Sequence, residues 1–105
     1  MNKDKVLKKQ VLDKRKNNTY QRKYGVSLEF VEDLKAKQKN RCAICKKVNH
    51  NLHVDHHHDS GTVRGLLCGT CNRGIGNLRE SVDILLAAIK YLMFWSNKYK
   101  VKTNV

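Results

Sequence analysis

Proline is absent from this 105-residue chain, and acidic side chains are scarce, with nine Asp and Glu against 22 Lys and Arg. Residues 2–24 lack glycine as well as proline, so nothing in them forbids a continuous helix. No long apolar run is present. The longest, Ile84 to Ile89, falls far short of a bilayer span, and the first 25 residues lack the apolar stretch of a signal peptide. The shortage of acid leaves a net charge of +13. A field of that sign points to a polyanionic partner, most simply nucleic acid, though basic surfaces also visit anionic membranes; neither a membrane partner nor a small organic cofactor is expected. The excess is concentrated at the start, where residues 1–25 carry nine basic and two acidic side chains. Such a length makes one domain with a modest core, a size at which a metal staple is often needed.

What the chain does have is two cysteine pairs of matching spacing, Cys42-Ala-Ile-Cys45 and Cys68-Gly-Thr-Cys71. Two disulfides or a redox pair are the alternatives. Paired C-x-x-C motifs far apart in sequence, in a chain without an export signal, favour one tetrahedral Cys₄ zinc site.

The rest of the chain arranges itself around that site. Residues 1–23 form a basic arm or helix in which Val6, Leu7, Val11 and Leu12 make a thin apolar stripe and Lys14, Arg15, Lys16, Arg22 and Lys23 are suited to phosphates. Tyr24-Gly25 breaks the pattern. Ser27 caps a helix from Leu28, Phe30, Val31 and Leu34 give it a core face, and Asn40 ends it. Leu52–Asp55 and Thr62–Leu67, separated by a polar stretch containing Gly61, read as a β-hairpin. Asn72 opens a short helix interrupted by Gly74 and Gly76, which completes a ββα outline over about residues 42–79. From Ser81, apolar residues at helical spacing predict a helix over about 82–97. Its first three turns are expected in the core, and Phe94 and Trp95 on a partner surface. Residues 98–105 read as a basic tail, leaving 24–97 as the zinc-containing domain.

Between the cysteine pairs lie polar groups that a Cys₄ zinc does not need. Asp55 and Asn72 offer the hard oxygen ligands that suit Mg²⁺ or Mn²⁺. A neutral imidazole beside such an ion can take a proton from water for attack on a phosphodiester. Asp55 and His56 point to opposite faces of a regular strand, so both serve one site only where the chain bends. His50 and His53 are read as surface residues.

The string Val54-Asp-His-His-His58, then Ser60-Gly-Thr-Val-Arg-Gly-Leu-Leu-Cys68-Gly-Thr-Cys-Asn72, resembles the core of the HNH-type recombination endonuclease VII family of phages. Tyr24-Gly-Val-Ser-Leu-Glu29, Arg41-Cys-Ala-Ile-Cys45 and Gly76-Asn-Leu78 occupy matching places, so the resemblance covers about residues 20–93. It implies a helix-rich α+β fold, a small zinc-stapled domain with a ββα-metal (His-Me finger) core flanked by helices. The zinc on Cys42, Cys45, Cys68 and Cys71 is then structural, and a separate Mg²⁺ or Mn²⁺ is catalytic. By the same resemblance Asp55 and Asn72 hold that ion, His56 is the general base and His58 contacts the scissile phosphate or leaving oxygen. Arg64 and Arg73 are assigned as phosphate clamps by charge and position. His57 stands where an Asp or Cys is commoner, and reads as outward-facing or as an outer-shell adjuster. Ile75 stands where one subgroup places a glutamate.

The function implied is metal-dependent cleavage or nicking of DNA, duplex or branched, such as a Holliday junction, in the cytoplasm of a phage-infected host. A homodimer through the terminal helices is left open. Two readings from other classes compete: a non-catalytic zinc module that binds nucleic acid, and a zinc-stapled scaffold within a larger phage complex. A phosphate-tracking arm has a direct signature. Deletion of residues 1–20 is expected to weaken DNA binding and flatten its dependence on salt, measured as the slope of log affinity against log salt. An unchanged slope would make the arm a solubilising tail.

Overall fold

A computed structural model of the chain describes residues 3–103, with side chains described for residues 3–96. The elements run α1 (Lys3–Tyr24), α2 (Leu28–Gln38), β1 (His53–His56), β2 (Val63–Leu67), α3 (Gly69–Asn77) and α4 (Val82–Thr103). This is the helix-rich α+β class expected, with hairpin and helix following one another in ββα order. The chain divides into two units, Met1–Cys71 and Asn72–Val105.

In the first unit the basic arm is one continuous helix. It stops at Gly25, whose positive φ of 68° lets its N–H return to the Gln21 carbonyl at 3.0 Å. Ser27 caps α2 as expected, its side chain accepting from the Phe30 N–H at 3.1 Å. A second orphan donor, the Leu28 N–H, goes to Asn17 Oδ1 on α1 at 2.9 Å and links the two helices. At the other end Lys39, not Asn40, opens the left-handed turn, and the Asn40 N–H closes it on the Lys35 carbonyl. The core face of α2 is also narrower than expected. Val31 is buried and Leu34 half-buried, but Phe30 is 43% exposed. Residues 30 and 31 sit 100° apart around the helix, and only one of them can face inward.

The hairpin pairs His53 with Leu67, Val54 with Leu66 and Asp55 with Gly65, and then slips, so that His56 pairs with Val63. Arg64 is the extra residue of a bulge at the Asp55–His56 step, where the sequence required a bend. The connecting loop is held by its own groups. The His57 N–H donates to the Thr62 carbonyl, the Gly61 N–H to the His57 carbonyl, and the Ser60 N–H to His57 Nδ1. His57 is exposed, as expected, and organises the turn.

The buried apolar side chains among the described residues are Val31, Cys42, Leu66 and Leu67, so this core is very small. One polar side chain joins its parts. Gln38, in the last turn of α2, accepts the Leu66 N–H at Oε1 (3.0 Å) and donates Nε2 to the Leu66 carbonyl (3.0 Å). The amide thus imitates a neighbouring strand. Gly65 leaves it room, since a Cβ there would meet Gln38 Oε1 at 3.3 Å.

Helix α3 departs from expectation at its start and in its middle. It begins at Gly69, three residues before Asn72, and runs unbroken past Gly74 and Gly76. The Cys71 N–H donates to Cys68 Sγ at 3.4 Å, so the cysteine pair itself caps the helix. In the second unit Arg79 and Glu80 both take positive φ, and Ser81 caps α4 by accepting the Ile84 N–H at 3.2 Å. The expected burial of α4's first three turns is not found. Val82, Leu86, Ile89, Leu92 and Met93 share one side of the helix and are all exposed, Val82 to 68%. Among the described residues of this unit, only the end of α3 lies beside α4 in sequence, which is too little to cover such a face. Phe94 and Trp95 are exposed as expected and meet edge to face, with ring centroids 5.6 Å apart. The backbone of α4 continues to Thr103, through most of the segment expected as a tail, and residues 104–105 lie outside the described residues.

Replacement of Gln38 by Ala strands a buried backbone N–H. A loss of about 1–3 kcal/mol in unfolding free energy is expected, read by denaturant titration of the metal-loaded chain. The exposed neighbour Lys37→Ala is the control, expected to change little.

Candidate metal centre and active site

The four cysteines converge. Each offers a sulfur, all four sulfurs lie within 4.8 Å of one another, and none is in a disulfide. Cys45 and Cys68 approach at 3.9 Å between sulfurs. Zinc–sulfur bonds in a tetrahedron place the sulfurs roughly 3.8 Å apart, so the cluster has the size zinc requires. The first pair sits on a tight turn closed by Cys42 N–H to the Lys47 carbonyl, Lys46 N–H to the Cys42 carbonyl, and Lys46 in a left-handed conformation. Within it the Ile44 N–H points at Cys42 Sγ at 3.4 Å, as the Cys71 N–H does at Cys68. Donors aimed at sulfur suit thiolates.

The electrostatics agree. Burial pushes the Cys42 thiol up, but hydrogen bonds from the backbones of Cys68, Cys45 and Ile44 outweigh it and bring its pKa down to about 6. Cys71 is pushed up to about 12, first by hydrogen bonding with the Cys68 side chain, then by desolvation and the nearby sulfurs of Cys42 and Cys45. Four thiolates cannot share so small a space without a cation. A divalent ion removes that obstacle, and the residues fit zinc.

The polar side of the hairpin begins at Asp55, which is nearly buried. Its carboxylate accepts Arg64 Nε at Oδ2 (2.7 Å) and Arg64 Nη2 at Oδ1 (2.9 Å), a planar two-point pair. Arg64, assigned from the sequence to phosphate, is thus engaged with an expected metal ligand. His56 is half-buried. Its imidazole meets two rings at a tilt, Tyr24 with ring centroids at 5.4 Å and His58 at 5.2 Å. Tyr24 is the last residue of α1, so the basic helix ends on the hairpin's histidine pair. Two important residues carried no chemical signal in the sequence: Gln38, and Tyr24, which figured only as a flanking match.

Asn72 and Arg73 are consecutive residues of α3 directly after Cys71, Asn72 half-buried and Arg73 exposed. Lys14, Arg15, Lys16, Arg22 and Lys23 are all exposed on α1. Successive residues on a helix are 100° apart, so these cations are spread around α1 rather than gathered into one stripe. No helix of the described residues is long and apolar enough to cross a membrane.

The family described as recombination endonuclease VII matches residues 17–93, which take in both cysteine pairs, the bulged hairpin and Asn72. The chain belongs to that family. It is similar to the Gene 59 protein of Mycobacterium phage D29, 42% identical over 73 residues that make up 66% of this chain and 44% of the relative. Similarity to the Gene 59 protein of Mycobacterium phage L5 is 38% over 74 residues, 67% of this chain and 45% of that protein. The chain therefore spans less than half the length of these curated relatives. No solved structure matches it.

Two outcomes check the metal centre. Cys68→Ser is expected to lose zinc and unfold, followed by circular dichroism and metal content; a mutant that stays folded without metal would contradict the structural role. Zinc uptake should also release protons, because Cys71 keeps its own up to about pH 12 without the ion. Apparent affinity, measured by chelator competition, should therefore rise from pH 6 to pH 8.

Proposed function

We propose that this domain is a metal-dependent DNA endonuclease that hydrolyses phosphodiester bonds in branched DNA, or nicks duplex DNA. The observation that carries this is the His56 imidazole in ring contact with both Tyr24 and His58, one residue from the nearly buried Asp55. A nucleic-acid-binding module has no need of an oriented histidine pair beside a buried carboxylate. The match over residues 17–93 supports the same reading.

In this mechanism Asp55 and Asn72 hold Mg²⁺ or Mn²⁺ through hard oxygen atoms. The ion, when bound, supplies positive charge to the phosphate oxygens as negative charge builds there. His56, as the neutral imidazole, takes the proton of the attacking water. Its ring contacts with Tyr24 and His58 restrict the ring's rotation. As the new P–O bond forms, the bond from phosphorus to the 3′ oxygen breaks, leaving a 5′-phosphate and a 3′-hydroxyl. His58 contacts the scissile phosphate or the leaving oxygen. Arg73 and the cations of α1 hold flanking phosphates. The exposed apolar face of α4 favours a homodimer through the terminal helices, and the host-cell cytoplasm is the place of action.

One observation favours the non-catalytic reading, in which the domain only binds nucleic acid: both Asp55 oxygens are already taken by Arg64. The deciding experiment incubates supercoiled plasmid and a synthetic four-way junction with the chain, in Mg²⁺, Mn²⁺ or EDTA. Metal-dependent cutting is expected, with His56→Ala slower by about 10²–10⁴-fold while DNA binding persists. Binding without cutting under any ion would leave the module reading. Cutting that survives His56→Ala would remove the base assignment.

A further inference from the structure

The residue that occupies Asp55 is itself a cation. Arg64 is the extra residue of the bulge, and the slip of register re-aims it. In an unbroken ladder residue 64 would face His56 across the hairpin, on the side away from Asp55. With the bulge, its guanidinium lies flat against the Asp55 carboxylate and engages both oxygens, at 2.7 and 2.9 Å. Burial is graded across the pair. The Asp55 side chain is 11% exposed and that of Arg64 36%, so the carboxylate is fixed inside while the guanidinium borders solvent.

We propose that Arg64 is a displaceable internal counter-ion, which holds the Asp55 carboxylate while no divalent ion is bound and passes to a DNA phosphate when substrate arrives. This rests on the reading of Asp55 as an ion ligand given above. A small divalent cation needs a carboxylate oxygen at about 2.0–2.1 Å, and like charge opposes it while the guanidinium covers both oxygens. A phosphodiester offers the guanidinium an equivalent two-point acceptor. A phosphate reaching the site therefore draws Arg64 outward and uncovers Asp55. Metal loading and DNA binding become coupled, each strengthening the other by the same factor. The chain would then hold its catalytic ion weakly away from DNA, while its charge of +13 brings it to DNA in any case.

The test is direct binding of Mn²⁺ to the zinc-loaded full chain, read from the electron paramagnetic resonance signal of free Mn²⁺. Manganese prefers oxygen ligands and leaves the thiolates to zinc. Without DNA, Arg64→Gln is expected to bind Mn²⁺ about tenfold more tightly than the unaltered chain, and Arg64→Lys, which loses the planar fork but keeps the charge, by a smaller factor. Equal or weaker binding in Arg64→Gln would overturn the proposal, since the guanidinium would then be neutral or helpful to the ion. A second arm does not depend on the folding of any Arg64 variant. In the His56→Ala chain, which should not cut, a short duplex is expected to tighten Mn²⁺ binding about tenfold beyond the uptake by DNA alone. No tightening overturns the coupling. Asp55→Asn separates the two levels of inference. If it removes the Mn²⁺ site while the Arg64 and duplex arms stay flat, the ion-site reading stands and the counter-ion role falls. If it leaves Mn²⁺ binding unchanged, the ion-site reading falls and the counter-ion role with it.

Discussion

Mutual repulsion among four crowded sulfurs governs this domain. Their convergence within 4.8 Å joins a turn that follows α2 to the residues that open α3. Without a cation the four do not ionise together: burial raises Cys42 but backbone hydrogen bonds bring it down to about 6, while Cys71 is pushed up to about 12. A zinc held there would tie together a unit whose buried apolar side chains, among the described residues, come down to Val31, Cys42, Leu66 and Leu67. One of those four is itself a ligand, so the core and the metal site are one object. Few residues are then required merely to hold the fold, which frees the outer part of the hairpin for polar chemistry.

That polar part is organised by hydrogen bonds more than by packing. Gln38 clamps the Leu66 peptide as a missing strand would, the His57 side chain and backbone brace the loop, and Arg64 straps Asp55. The bulge is the element these share. It breaks the alternation of a two-stranded ribbon at the one step where Asp55 and His56 are adjacent. A buried carboxylate beside a solvent-facing guanidinium is a weak source of stability but an effective way of keeping that carboxylate in register. Tyr24 adds a tilted ring contact to His56 from the end of the basic helix, which links the segment best suited to phosphates with the base proposed to act on them.

The helices toward the ends of the chain present different surfaces. α1 surrounds itself with cations above a thin apolar strip at Leu7, Val11 and Leu12. α4 leaves a broad apolar face in the open. The first suits the uniform charge of a nucleic-acid backbone, and the second exceeds what a small unit can cover with its own residues.

What the sequence by itself determined follows from local chemistry. The paired C-x-x-C spacings give the Cys₄ cluster, Gly25 and Ser27 mark the break and the cap, and the β-branched stretches about Gly61 give the hairpin. Each depends on residues near one another in the chain, and each appears where the pattern put it. The run Asp55-His56-x-His58 with Asn72 was legible as a set of reactive groups. Its internal arrangement was not, because the Tyr24–His56 ring contact and the Arg64–Asp55 pair join residues 32 and nine positions apart. Only the tertiary structure decided that Gln38 serves as a strand, that Cys68 caps α3 and that Phe30 faces solvent. It also decided that α4's apolar face stays uncovered. The reason is the same each time: burial and hydrogen-bond satisfaction are settled by which surfaces meet, and periodicity along a chain says only which residues share a face.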